Sequence, residues 1–123
     1  MISFDRFVME DGIPIYQQIL LYLKRGMVAG TIVDGDELPS RRVLSALLGV
    51  NPNTVQKAYR MLEDEGLMVS HTGAKSYTVL NAEKIATIRT ELTRNEVLVA
   101  VERLKLMGLS KTEVLALIEQ YWR

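Results

Sequence analysis

The chain of 123 residues contains no cysteine and one histidine, and its 15 basic residues balance 15 acidic ones. A metal site is therefore not expected, and the hydrophobic content of 48% is that of an ordinary globular chain. No apolar run approaches the roughly 20 residues that span a bilayer, and the first residues lack a signal-peptide pattern, so we expect a cytoplasmic protein without membrane contact or cofactor.

The first helix is predicted from Pro14 to Gly30, after an arm of residues 1–13 that is interpreted as lying on the core or on a partner. Apolar residues recur in the helix at spacings of three and four, namely Tyr16, Ile19, Leu20, Leu23 and Met27. A turn at Asp34-Gly35 and a short extended connection at Leu38-Pro39 follow.

Residues 40–66 predict two short helices joined by a glycine turn, which is the arrangement of a helix-turn-helix. Ser40 is placed to cap the first helix, and Gly49 supplies the left-handed residue that ends it. Asn51 is then the N-cap of the second helix, and Pro52 occupies its first turn, where a missing N–H costs nothing. A second helix that begins with small polar residues is typical of a DNA-reading element.

The second helix has one apolar and one polar face. The core-directed face consists of Val55, Ala58, Tyr59 and Leu62, and the polar face consists of Asn53, Gln56, Lys57 and Arg60. Asn and Gln can pair bidentately with adenine, Thr54 can bond a base or touch a thymine methyl, and Lys and Arg reach guanine or phosphate. Simpler interpretations stay open: Asn51 as a plain N-cap, and the two cations as an ordinary solvated face.

A β-hairpin is predicted directly after this helix, with strands at 67–70 and 76–80. A hairpin in this place is a wing, and Lys75 at its tip could lay a positive charge on the DNA backbone or in the minor groove. His71 beside the tip is equally well interpreted as an exposed loop residue without a role. The chain is neutral overall, but Arg41 and Arg42 can share the DNA side with Lys75.

Residues 82–123 are too few for a ligand-binding domain of ordinary size and predict two helices. The first runs without proline or glycine to Gly108, and Ser110 to Glu113 is a capping box that opens the second. The last helix is apolar over most of its circumference. Such a pair either folds back on its own domain or pairs with a second copy. We favour pairing, because a symmetric operator needs two reading helices.

Several blocks resemble, in order and with consistent gaps, the winged-helix domain of GntR-family bacterial transcription regulators over roughly residues 14–80. They are Pro14 to Ile19, Gly35 to Ser40, Leu48 to Val55 and Glu65 to Leu67. The short tail resembles that of the YtrA-like subfamily. The resemblance implies DNA-facing positions for Arg42, Asn51, Asn53, Thr54, Gln56 and the wing residue Gly73. The family commonly has glutamate where this chain has Arg41, and many members have arginine where it has Pro52.

The predicted fold is mostly α with a small β-hairpin: a winged helix-turn-helix domain with its arm at 1–81, and a helical dimerisation tail at 82–123. The predicted function is a homodimeric repressor that binds a near-palindromic double-stranded DNA operator. By the resemblance, the target is an operon for an ABC-type transporter. The candidate DNA-binding residues are Ser40, Arg41, Arg42, Asn51, Asn53, Thr54, Gln56, Lys57, Arg60, Gly73 and Lys75.

Two alternatives remain at this stage. One is a winged-helix module for protein assembly, without sequence-specific DNA binding. The other is a regulator whose DNA affinity responds to a small ligand held between the tail and the winged domain, although no polar cluster in the sequence identifies such an effector. An enzyme is not expected, since no nucleophile with a base, phosphate-binding glycine loop or carboxylate pair is evident.

Overall fold

The structure, a computed structural model, describes residues 1–71 and 75–123, which form two compact units at 1–89 and 90–123. The elements are α1 (Ile15–Ala29), β1 (Glu37–Leu38), α2 (Arg41–Leu48), α3 (Pro52–Asp64), β2 (Met68–His71), β3 (Lys75–Thr78), α4 (Ala82–Leu106) and α5 (Lys111–Tyr121). The strands form one antiparallel sheet in the order β1-β3-β2. The predicted winged helix-turn-helix is confirmed. The extended connection predicted at Leu38 forms β1, which adds one strand to the two of the predicted hairpin.

The core of the first unit contains the apolar face of α3. All four predicted members of that face are fully buried: Val55, Ala58, Tyr59 and Leu62. They belong to the same core as Ile19 and Leu23 of α1, Leu44 of α2 and Ile88 of α4. In the first turn of α4, the Nζ of Lys84 donates to the carbonyl oxygen of Gly66 at 2.6 Å. The beginning of α4 is thus fastened to the turn that follows α3.

The N-terminal arm lies on the core of its own unit, which was the first of the two interpretations. Phe4 is buried, and its ring stacks on that of Tyr22 with centroids 4.9 Å apart. The Tyr22 hydroxyl also donates to the carbonyl oxygen of Ser3 at 2.7 Å. Further along, the side chain of Gln18 bonds both the N–H and the carbonyl oxygen of Glu10, at 2.8 and 2.9 Å.

The turn between α2 and α3 is held by Ser45. Its Oγ donates to the carbonyl oxygen of Val50 at 2.6 Å, and the N–H of Val50 donates to the carbonyl oxygen of Ser45 at 3.0 Å. Gly49 has a φ of 67°, a left-handed conformation that glycine adopts without steric cost. The glycine turn is as predicted, whereas the contribution of Ser45 is visible only in the structure.

The second unit, all of which the structure describes, contains the end of α4 and all of α5. The predicted cap of α5 is confirmed, because Ser110 Oγ accepts a hydrogen bond from the N–H of Glu113 at 3.2 Å. No side chain of residues 90–123 is buried. The large apolar side chains exposed there are Val97, Leu98, Val99, Val101, Leu106, Met107, Leu115, Leu117, Ile118, Tyr121 and Trp122.

Two kinds of feature are missing from the described part of the chain. In residues 1–71 and 75–123, no helix combines the length and the apolar character needed to cross a membrane. Within the same residues, no group of three or more His, Cys, Asp or Glu side chains could hold a metal ion.

Candidate nucleic-acid interface

The first turn of α3 presents a capped helix end to solvent. Asn51 is the N-cap, and its Oδ1 accepts a hydrogen bond from the N–H of Asn53 at 2.8 Å. Asn53 is exposed and Thr54 is half-buried. The positive end of the helix dipole therefore coincides with short polar side chains, a combination suited to phosphates and base edges.

The beginning of α2 carries the other helix cap. Ser40 Oγ accepts a hydrogen bond from the N–H of Val43 at 3.1 Å, as predicted for an N-cap. Arg42, in the first turn, is exposed. Arg42 is thus an accessible cation at the start of the helix that precedes α3.

Arg41 has a different environment, which we call the Arg41 cluster: Arg41, Gln56, Glu63 and Ser70. The Nε of Arg41 donates a hydrogen bond to Oε1 of Gln56, and its Nη2 donates one to Oε1 of Glu63 at 2.9 Å. The same Nη2 lies 3.4 Å from Ser70 Oγ, a weak contact. The guanidinium carbon lies 5.2 Å from the ring centroid of Tyr59, within cation–π range. Arg41 therefore forms hydrogen bonds with three side chains of its own unit and contacts the ring of a fourth.

The Arg41 cluster continues into the sheet. Ser70 Oγ donates to Glu63 Oε1 at 2.9 Å and lies 3.1 Å from the Oγ of Ser76, its cross-strand partner. Ser76 is buried, so this polar network begins at the surface and ends inside the unit. The cluster joins α2, α3 and the two strands of the wing.

The two cations on the polar face of α3, Lys57 and Arg60, are exposed. The Nζ of Lys57 lies 4.0 Å from the ring centroid of Tyr16 on α1, a cation–π contact. Arg60 is exposed one turn further along the helix. Because an exposed cation–π contact is worth only about 0.5–1 kcal/mol, it leaves the Lys57 ammonium available to an anionic ligand.

Tyr59 fixes the apolar side of α3 to the segment that precedes α2. Its hydroxyl donates to the carbonyl oxygen of Pro39 at 2.7 Å. Burial raises the pKa of the Tyr59 phenol above its ordinary range, and the nearby Arg41 guanidinium opposes this change only partly. The phenol consequently remains a protonated donor near neutral pH.

The wing places Lys75 at the beginning of β3, where it is exposed and pairs with His71 of β2. His71 is a strand residue rather than a loop residue, and its ring centroid lies 5.5 Å from that of Tyr77. Gly73, the expected wing glycine, lies outside the described residues.

Residues 15–78, just over half of the chain, match the family described as "Bacterial regulatory proteins, gntR family". The chain belongs to the GntR family. The uncharacterized HTH-type transcriptional regulator YhcF of Bacillus subtilis (strain 168) is 32% identical over 112 residues, 91% of this chain and 93% of the relative. The HTH-type transcriptional repressor YtrA of the same organism is 38% identical over 96 residues, 78% of this chain and 69% of the relative.

A solved structure agrees with this assignment. The GntR family transcriptional regulator from Listeria monocytogenes has a TM-score of 0.76 and 28% sequence identity, and the match covers 91% of this chain and 98% of that one. The family match and the similarity to YtrA make the chain a YtrA-like DNA-binding transcription regulator, as its sequence blocks and its short tail predicted. The relatives named here are transcriptional regulators, not enzymes.

Two residues of the Arg41 cluster in this GntR-family protein, Glu63 and Ser70, were not predicted from the sequence. Glu63 follows Gln56 by seven residues, so the two share one face of α3, and this spacing could have indicated a common partner. Ser70 offered no such signal, because its place depends on the packing of β2 against α3.

Proposed function

We propose that this GntR-family regulator is a repressor that binds a near-palindromic DNA operator as a homodimer. The observation that carries the proposal is the polar, exposed face of α3, which begins at a capped helix end and continues through Lys57 and Arg60. A module for protein assembly would present an apolar or acidic face there. The repressor assignment is supported by the similarity to the YtrA repressor of Bacillus subtilis.

The roles proposed within the interface follow from side-chain chemistry. Asn53, Thr54 and Gln56 are the proposed base readers, since amides and hydroxyls match base edges in the major groove. Arg42 and Lys75 are the proposed phosphate contacts, because both are exposed cations that flank α3 in the chain.

The homodimer is proposed to form through the tail of residues 82–123. Eleven large apolar side chains are exposed on the second unit, and monomeric soluble proteins rarely expose a large apolar patch. An isologous interface through this tail would cover them and relate two reading helices by a two-fold axis. Half-site centres about 34 Å apart, or a multiple of that distance, would follow.

The proposed target is an operon for an ABC-type transporter, transcribed together with the regulator itself. This part rests on the resemblance to YtrA-like members. Sequencing of genomic fragments retained by the purified protein tests it, because the enriched promoters name the target genes. Enrichment without any common sequence would contradict sequence-specific repression.

Replacing Gln56 with Ala should relax the choice of base at one or two positions of the site. The loss of a good amide contact to a base should cost about 1–3 kcal/mol of discrimination. Selection from a random DNA library, performed with both proteins, measures this effect. A variant that retains the full wild-type preference would remove Gln56 from the readout.

Arg42→Ala and Lys75→Ala should each weaken binding to all sequences alike. Each lost phosphate contact should lower the slope of log affinity against log salt by about 0.9. Titrations of one operator at several salt concentrations measure the slope. Lys24→Ala is the control, because Lys24 forms a 2.8 Å ion pair with Glu65, the C-cap residue of α3, and has no proposed DNA contact. If Lys75→Ala has the same affinity and salt slope as this control, the wing is a purely structural hairpin without a phosphate contact.

A further inference from the structure

The bond between Arg41 and Gln56 determines which atoms of Gln56 are left for a ligand. Every polar hydrogen-bonding atom of an arginine side chain is a donor, so the Gln56 atom that faces Arg41 Nε must be the amide oxygen, Oε1. The two hydrogens of Gln56 Nε2 are then the groups available for recognition. The positive charge beside Oε1 also polarises the amide, which makes these hydrogens better donors.

A glutamine amide whose oxygen is already occupied can only donate hydrogen bonds, so it prefers a different base from an amide that can both donate and accept. To pair bidentately with adenine, glutamine must donate to N7 and accept from the N6 amino group. Guanine presents two acceptors, O6 and N7, in the same part of the major groove. We propose that Arg41 sets the base preference of the protein by occupying Gln56 Oε1, so that Gln56 selects guanine over adenine. This inference rests on the proposed function, because it requires α3 to read base edges.

The surroundings of Arg41 hold the side chain in this position. Glu63 accepts from its Nη2 at 2.9 Å, and the ring of Tyr59 lies beneath the guanidinium. The Arg41 side chain is 26% exposed, against 36% for that of Glu63. Arg41 is therefore a positioning residue: it acts on specificity through Gln56 and needs no contact with DNA.

The experiment is selection from a random DNA library followed by competition binding. The Gln56→Ala variant first identifies the base pair that depends on Gln56. We expect wild-type protein to select a G·C pair there. We expect Arg41→Met, which leaves Oε1 free, to shift the ratio of G·C to A·T at that pair towards A·T by about fivefold or more.

The control is Lys24→Met, which breaks the ion pair with Glu65. That pair resembles the Arg41–Glu63 pair in length and exposure but has no contact with Gln56. The control should keep the wild-type base ratio. A shift of the same size in Lys24→Met would overturn the inference, because it would show a general effect of losing a surface ion pair.

A second measurement uses only wild-type protein, so it does not depend on how well Arg41→Met folds. At the Gln56-dependent pair, adenine in place of guanine should weaken binding about fivefold or more, and 7-deazaguanine should also weaken it, since the N7 acceptor is lost. Selection of an A·T pair by wild-type protein would overturn this inference and leave the proposed function intact. An unchanged base ratio in folded Arg41→Met would do the same. Failure of wild-type protein to select any sequence would overturn both.

Discussion

Replacing Leu115 and Ile118 together with glutamate is expected to convert the regulator to a monomer and to weaken its binding to a two-half-site operator by about 100-fold or more. Both side chains are about half exposed in the single chain and lie three residues apart on one face of α5. Burial of unpaired charges in a dimer interface would be strongly unfavourable. In the proposed dimer, loss of the second copy of α3 would remove the gain from bivalent binding, which typically amounts to 10²–10⁴-fold.

Sedimentation at micromolar concentration and operator titration measure the two effects. The matched control is Thr112→Glu with Gln120→Glu, which adds the same charge to α5 at two exposed polar positions. The control should remain dimeric. If the Leu115/Ile118 variant also stays dimeric, the interface lies outside this face of α5, with the N-terminal arm or α1 as the next candidates.

Replacing Tyr59 with Ala is expected to lower the free energy of unfolding by about 3–5 kcal/mol, because it removes a fully buried ring from the core. Tyr59→Phe separates the hydrogen bond from the ring. It leaves the Pro39 carbonyl oxygen without its donor and should cost about 1–3 kcal/mol. Urea unfolding at neutral pH and fixed protein concentration measures both values.

Wild-type protein and Tyr59→Phe should also differ in how their free energies of unfolding change with pH in alkaline solution. The folded-state pKa of Tyr59 is raised by burial, so above pH about 10 the unfolded chain loses this proton while the folded chain keeps it. The unfolded state is thereby favoured, and the stability contributed by Tyr59 should fall by about 1.4 kcal/mol per pH unit above that point. Tyr59→Phe should lack this component. Parallel stability curves for wild type and Tyr59→Phe between pH 9 and 11 would contradict the assignment.

The sequence alone determined the local features of the helices. Caps at Ser40, Asn51 and Ser110 were predictable, because a cap depends only on a side chain and the N–H two or three residues later. The glycine turn at Gly49 and the buried face of α3 were predictable for the same reason: each depends on backbone conformation or on helical period within a few residues.

Only the tertiary structure decided which polar side chains act together. Gln56 was assigned to the DNA side from its helical position, and Arg41 as a cation that can share that side. Their mutual bond depends on how α2 packs against α3. The participation of Ser70 depends in addition on the placement of β2. These three residues are 14 to 29 positions apart in the chain. A periodic pattern shows which face of a helix a residue occupies, but it does not show which other element packs against that face.

The third strand and the anchoring of α4 also came only from the structure. Two residues, Glu37 and Leu38, are too short for an alternating pattern, and they form β1 because β3 offers a free edge for hydrogen bonding. Lys84 bonds the Gly66 carbonyl because folding brings the first turn of α4 to the end of α3. Sequence patterns specify elements and faces, whereas long-range hydrogen bonds depend on the orientation of elements that only close packing of the whole core fixes.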